Sequence, residues 1–108
     1  MITEIQKNII RNCADDYETF YYIFKAFKET NQINNDDIIQ NAIYLIQNGY
    51  LDFWRLNKGN KIKIDKPEYS EFEIYKNYNC NSFNEHLKKM GYGPHEFMAT
   101  KKGINELH

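Results

Sequence analysis

Apolar residues recur at a helical period three times before the pattern changes to alternation. Ile5, Ile9, Ile10 and Cys13 make the first stripe, and Thr3 with Gln6 ahead of it has the spacing of a capping box. The pair predicts a helix from about Thr3 to Ala14. Asp15 and Asp16 offer the cap of a second helix, with Glu18 three residues after Asp15. Its stripe is Phe20, Ile23, Phe24 and Phe27, joined by Tyr17 and Tyr21, and it is expected to end near Glu29. Asn34-Asn35 opens a third, with Asp36 and Asp37 in the first turn complementing the helix dipole. Ile38, Ile39, Ala42, Ile43, Leu45 and Ile46 give it a wide apolar face, and Gly49 stands where a left-handed C-terminal residue belongs.

After Gly49 the period changes. Leu51 to Leu56 reads as a strand, Asn57-Lys58-Gly59-Asn60 as a turn and Lys61 to Asp65 as an alternating strand, a hairpin closed by Pro67. Glu68 to Asn81 mixes acids with Tyr69, Phe72, Ile74, Tyr75 and Tyr78 and shows no clear period. Ser82 and Glu85 form another capping box and predict a short helix ending before Gly91. Phe97-Met98-Ala99 reads as a strand, and Thr100 caps a last helical turn running through Leu107.

These 108 residues fit one domain, residues 1–108, with no repeat and no low-complexity tract. Aromatic residues make up 16% of the chain, so a modest core can still bury much area. The net charge of −1 removes the overall basic excess of a non-specific nucleic-acid binder, leaving only a local basic surface for such a role. Cys13 and Cys80 are too few for a secreted disulfide framework; two thiols of a cytosolic protein is the better reading, with a single disulfide between them as the alternative. Met1 to Gln6 lacks the apolar core of a signal peptide, and no apolar run has the length of a membrane span. The expectation is a cytoplasmic protein with no membrane partner.

Asp37 to Leu51, with its apolar pair, its Leu45-Ile46 near the helix end and Gly49-Tyr50-Leu51 following, resembles the third helix and next strand of winged helix-turn-helix proteins. Phe97 to Leu107, an aromatic strand running into Thr100-x-x-Gly103, looks like the second wing strand of that family. The two stretches stand in the family's order with the first two helices ahead of them, and together these matches cover about half the chain. The resemblance implies an α+β, winged-helix-like domain: three N-terminal helices, then a small antiparallel hairpin or wing with an inserted short helix. Glu68 to Pro94 departs from the pattern, being longer than an ordinary wing.

In that family the third helix reads the major groove, which implies base contact by Gln40, Asn41, Tyr44, Gln47 and Asn48. Asn and Gln can pair bidentately with adenine. The helix carries no Lys or Arg, however, and opens on two aspartates. The hairpin offers Arg55, Lys58, Lys61, Lys63 and Lys66 against Asp52 and Asp65, with Lys61 and Lys63 on one face of the strand. Those lysines serve phosphate contact, or else simply solvate the hairpin and discourage edge pairing.

A protein partner is the other class of reading. Tyrosine contributes apolar area and a hydrogen bond at low entropic cost, which suits interfaces. Tyr44, Tyr69, Glu71, Glu73 and Tyr75 are the candidates, the last four from an acidic-aromatic run that suits a basic partner, as in an immunity protein blocking a nuclease toxin. The same run can equally be the outer layer of a small core. Cys80, His86 and His95 do not match zinc spacings, and Cys80 with His86 lacks an orienting group for nucleophilic chemistry. No cofactor is expected, and the chain reads as a binding module without enzymatic activity: a protein binder first, a DNA-binding transcriptional regulator second.

Overall fold

The computed structural model describes residues 2–15, 17–30, 33–76 and 94–108, with the side chains of residues 21, 25 and 28–30 left aside. Helix α1 spans Glu4–Asn12 and begins with the expected reciprocal cap. The Gln6 amide donates to Thr3 Oγ1 at 3.2 Å, and the Thr3 amide donates to Gln6 Oε1 at 2.9 Å. It ends at Asn12, two residues short of the expected Ala14, with Cys13 as its C-terminal cap. Helix α2 spans Phe20–Thr30 and starts later than Asp15 and Asp16 suggested. The reason lies in the backbone of Glu18, which exchanges hydrogen bonds of 2.8 and 2.7 Å with Phe97 and so runs extended where a helix would begin. Helix α3 spans Asn35–Gln47, with Asn34 Oδ1 accepting from the Asp37 amide at 2.8 Å. Gly49, at φ +80°, takes the left-handed conformation that lets the chain turn out of α3.

Strand β1 (Leu51–Asn57) lies in the middle of a three-stranded antiparallel sheet. On one side it forms the expected hairpin with β2 (Asn60–Lys63), Arg55 opposite Ile62. On the other it pairs with β3 (His95–Ala99), Phe53 opposite Phe97. The Glu18 bridge continues the sheet beyond β3. Between the hairpin and β3, Tyr69–Tyr75 forms a 3-10 helix, and after Thr100 a short helix α4 spans Lys101–Asn105. The expected helix from Ser82, and with it Cys80 and His86, lies outside the described residues.

The sheet alternates as its burial requires. Leu51, Phe53, His95, Phe97 and Ala99 face inward, and Asp52, Trp54, Leu56, Glu96 and Met98 face out. The inner face meets Ile9 and Ile10 of α1, Phe20, Ile23 and Phe27 of α2, and Ile38, Ile39 and Leu45 of α3, all buried. Aromatic rings fill the centre: Phe20 stacks on Tyr75 at 4.1 Å between centroids, and Phe53 lies 5.1 Å from Phe72 and 4.9 Å from Phe97. Close-packed faces of this kind make one hydrophobic core.

Helix α4 locks the end of α3. Thr100 Oγ1 donates to the Gly49 carbonyl at 2.6 Å and accepts from the Gly103 amide at 3.1 Å. Lys102 Nζ donates to the Asn48 carbonyl at 2.8 Å and lies 4.5 Å from the centre of the Tyr50 ring. The backbones approach so closely that a Cβ on Gly103 would stand 2.2 Å from the Tyr50 carbonyl oxygen. No helix among the described residues is long and apolar enough to cross a membrane.

Candidate binding surfaces

The solvent face of α3 carries Asp36, Asp37, Gln40, Tyr44, Gln47 and Asn48, and no cation. Tyr44 is 42% exposed. Asn41, half buried, has both ends of its amide committed within the fold: Oδ1 accepts from Gln6 Nε2 at 3.0 Å and Nδ2 donates to the Asp37 carbonyl at 2.8 Å. Those bonds fix the amide's orientation within the fold, and a base that turned it outward would have to break them.

Of the five cations read along the hairpin, three are closed on carboxylates of the same chain. Arg55 donates to both oxygens of Glu71, Nε at 2.9 Å and Nη2 at 2.5 Å. Lys61 Nζ lies 2.7 Å from Glu96, and Lys63 Nζ lies 3.3 Å from Asp52. Lys58 stands exposed at the turn, with a positive φ of 49°. The basic excess read along the hairpin is therefore reduced by Glu96 from β3 and Glu71 from the 3-10 helix, while Lys58 and Lys66 stay exposed.

The acidic-aromatic run straps across α3. Tyr69 donates its hydroxyl to Asp36 Oδ1 at 2.6 Å, which pushes the phenol up to about 12. Asn35 Nδ2 donates to the carbonyls of Tyr75 and Lys76, both at 3.1 Å, and Gln47 Nε2 donates to that of Pro67 at 3.3 Å. Phe72 and Tyr75 turn into the core, while Glu73 and Ile74 face solvent. Of the five residues expected to meet a protein, Tyr44 and Glu73 are exposed, Tyr69 half buried, and Glu71 and Tyr75 are turned to internal work. Tyr75 is 2% exposed, so the expectation of a surface ring there is corrected.

That internal work is a four-residue relay. His95, ahead of the strand expected over Phe97 to Ala99, is the first residue of β3 and is buried against the Phe53 and Phe72 rings. Its Nε2 meets Glu71 Oε2 at 2.8 Å and its Nδ1 meets the Tyr75 hydroxyl at 2.5 Å. Hydrogen bonds from Arg55 hold the Glu71 carboxyl near pKa 2, with a further contribution from His95, against the opposing effect of partial burial. Burial pushes the His95 pKa down, with Glu71 opposing. An ionised Glu71 only accepts, which puts the proton of a neutral His95 on Nε2 and leaves Nδ1 to accept from Tyr75. The donors run from Tyr75 to His95 to Glu71, and Arg55 donates to Glu71 from the other side. Both imidazole nitrogens are thereby occupied inside the protein. Among the described residues no group of three His, Cys, Asp or Glu side chains could hold a metal ion.

On the outer face of the sheet, Trp54 meets Tyr17 edge-on at 5.3 Å. The Lys61 ammonium lies 3.9 Å from the centre of the Tyr17 ring and 5.7 Å from that of Trp54. Beside them a cleft of about 460 Å³ is lined by Tyr17, Glu18, Thr19, Tyr22 and Glu96. Sequence reasoning missed this group because Tyr17 and Trp54 meet only through the pairing of Glu18 with β3 and of β3 with β1. Comparison with protein-family models, with curated proteins and with solved structures finds no match.

Proposed function

We propose that this chain is a non-enzymatic, cytoplasmic binding module that holds a basic surface of a protein partner against the face shared by α3 and the 3-10 helix. A single observation carries the reading. Asp36 is tied to Tyr69 at the junction of the two helices, beside Asp37, Glu73 and the exposed Tyr44, while Arg55, Lys61 and Lys63 of the hairpin are spent on internal carboxylates. Acids with tyrosines steer and anchor a positively charged partner. A toxin-neutralising immunity protein, or another small inhibitor or adaptor, fits that description. The scaffold in this proposal is winged-helix-like, with β1 and β3 as the wing's framing strands and β2 and the 3-10 helix as elaborations between them.

Affinity capture from the source organism's lysate with the wild type, Tyr44→Ala and Asp37→Lys in parallel tests it. The reading expects one stoichiometric partner on the wild type, weakened by salt and lost from both variants. Equal recovery on all three baits overturns it.

A DNA-binding regulator is the second reading, favoured by the exposed Lys58 at the hairpin tip. It expects a mobility shift of DNA that weakens steeply with salt and diminishes in Lys58→Glu. No shift at low salt overturns that reading.

A further inference from the structure

The outer sheet face carries an arrangement separate from the α3 surface. Around the Lys61 ammonium stand the Tyr17 ring at 3.9 Å, the Trp54 ring at 5.7 Å and the Glu96 carboxylate at 2.7 Å. Two aromatic rings and a carboxylate form the kind of surround that retains an organic cation, combining ring quadrupoles with a formal charge. Tyr17 and Glu96 also belong to the wall of the adjoining cleft, whose other lining includes Glu18 and the half-exposed Tyr22. That lining holds no cationic side chain among the described residues. At about 460 Å³ the cleft is within the size range of ligand sites.

We propose that this cleft is a binding site for an organic cation, an alkylammonium or guanidinium group, and that Lys61 is a resident cation competing for the same carboxylate and ring. The amine of Lys61 reaches Glu96 across the intervening strand β1. Its pKa is raised by the hydrogen bond to Glu96, so it sits there charged. An incoming cation approaches the same Glu96 and the Tyr17 ring from the cleft and meets Glu18 and Tyr22 there. The competition has a consequence that a merely structural ion pair does not: removing the resident strengthens ligand binding.

Trp54 is the sole tryptophan and sits in the cage, so its fluorescence reads occupancy directly. The probes are spermidine, as a free amine, and a blocked pentapeptide Gly-Arg-Gly-Lys-Gly, as a protein-borne source. The same peptide with citrulline and acetyl-lysine in place of its charged residues is the control. Titration of the full chain with the charged probes is expected to saturate at up to millimolar concentration, and the tighter probe identifies the source. Lys61→Met is expected to tighten binding about threefold and Glu96→Gln to weaken it at least as much, with circular dichroism confirming that both fold. The proposal is overturned by no saturable change with either charged probe, by equal binding of the neutral peptide, or by Lys61→Met binding no more tightly than wild type. Should Glu96→Gln fail to fold, Tyr22→Ala takes its place, with the same weakening expected and no weakening decisive against the site.

Discussion

Replacing Tyr75 by phenylalanine removes one oxygen from the core and nothing else. The ring keeps its stack on Phe20 at 4.1 Å, and no cavity larger than the lost hydroxyl opens. His95 Nδ1 loses the donor now 2.5 Å away and, with the residue 3% exposed, finds no bulk water in exchange. A buried acceptor left unsatisfied costs about 1–3 kcal/mol. At this chain length each kcal/mol moves the melting temperature by about 4 °C or somewhat more. Differential scanning calorimetry of Tyr75→Phe should therefore show a loss of about 4–12 °C. Nitrogen NMR of the imidazole should still find the proton on Nε2, because Glu71 holds it there, with the Nδ1 resonance moving toward that of an unbonded nitrogen. A melting temperature within about 1 °C of wild type, or a wild-type His95 protonated on Nδ1, would refute the donor order assigned to the relay.

Three further outcomes follow from the same structure. Glu71, held near pKa 2 against an ordinary 4.5, contributes stability above pH 4.5 that is lost as pH falls through 2. His95, held below 6.5, makes the fold begin to weaken as pH falls through 6.5, since the unfolded chain takes that proton first. Urea midpoints across this window should fall for wild type throughout, and Glu71→Gln should lose the part below pH 4.5; parallel profiles refute the assignment. Gly103→Ala drives a Cβ into the Tyr50 carbonyl and should cost about 1–3 kcal/mol by urea denaturation, with an unchanged midpoint counting against so close an approach. Cys13 is fully buried and its thiol pKa is pushed up by that burial, so in a Cys80→Ser background it should react with thiol reagents only as fast as the chain opens.

What was legible in the sequence was what neighbouring residues decide among themselves. The Thr3 and Gln6 cap, the α3 stripe, the left-handed Gly49 and the Thr100 cap each rest on a few adjacent positions, and each is where its residues placed it. Asp15 and Glu18 imitate a helix start equally well, yet Glu18 is claimed by Phe97 from far along the chain. The relay was hidden for the same reason, since Arg55, Glu71, Tyr75 and His95 come from three separate segments. One signal was available and unused. Tyr69, Phe72 and Tyr75 stand three apart, the period of a 3-10 helix, and an inward reading of that triplet would have buried Tyr75 from the start. The pairing of Arg55 and Lys61 was not readable, because Glu71 and Glu96 meet these cations only after β3 and the 3-10 helix dock.

The position of β3 bears on how the molecule comes into being. This strand lies between β1 and the Glu18 bridge, yet it is made after nearly everything it touches. While the ribosome has delivered only the helices and the hairpin, Phe53, Phe72 and Phe20 lack the Phe97 ring that packs among them, and Cys13 and Leu51 lack the backbone of Ala99. Pairing Arg55 with His95 closes a long loop late, the kind of event that slows folding and leaves aromatic surface open to misassociation. A nascent chain halted before His95 should thus be a client for chaperones, and it becomes self-sufficient when the last strand slides into the gap that the earlier elements hold open.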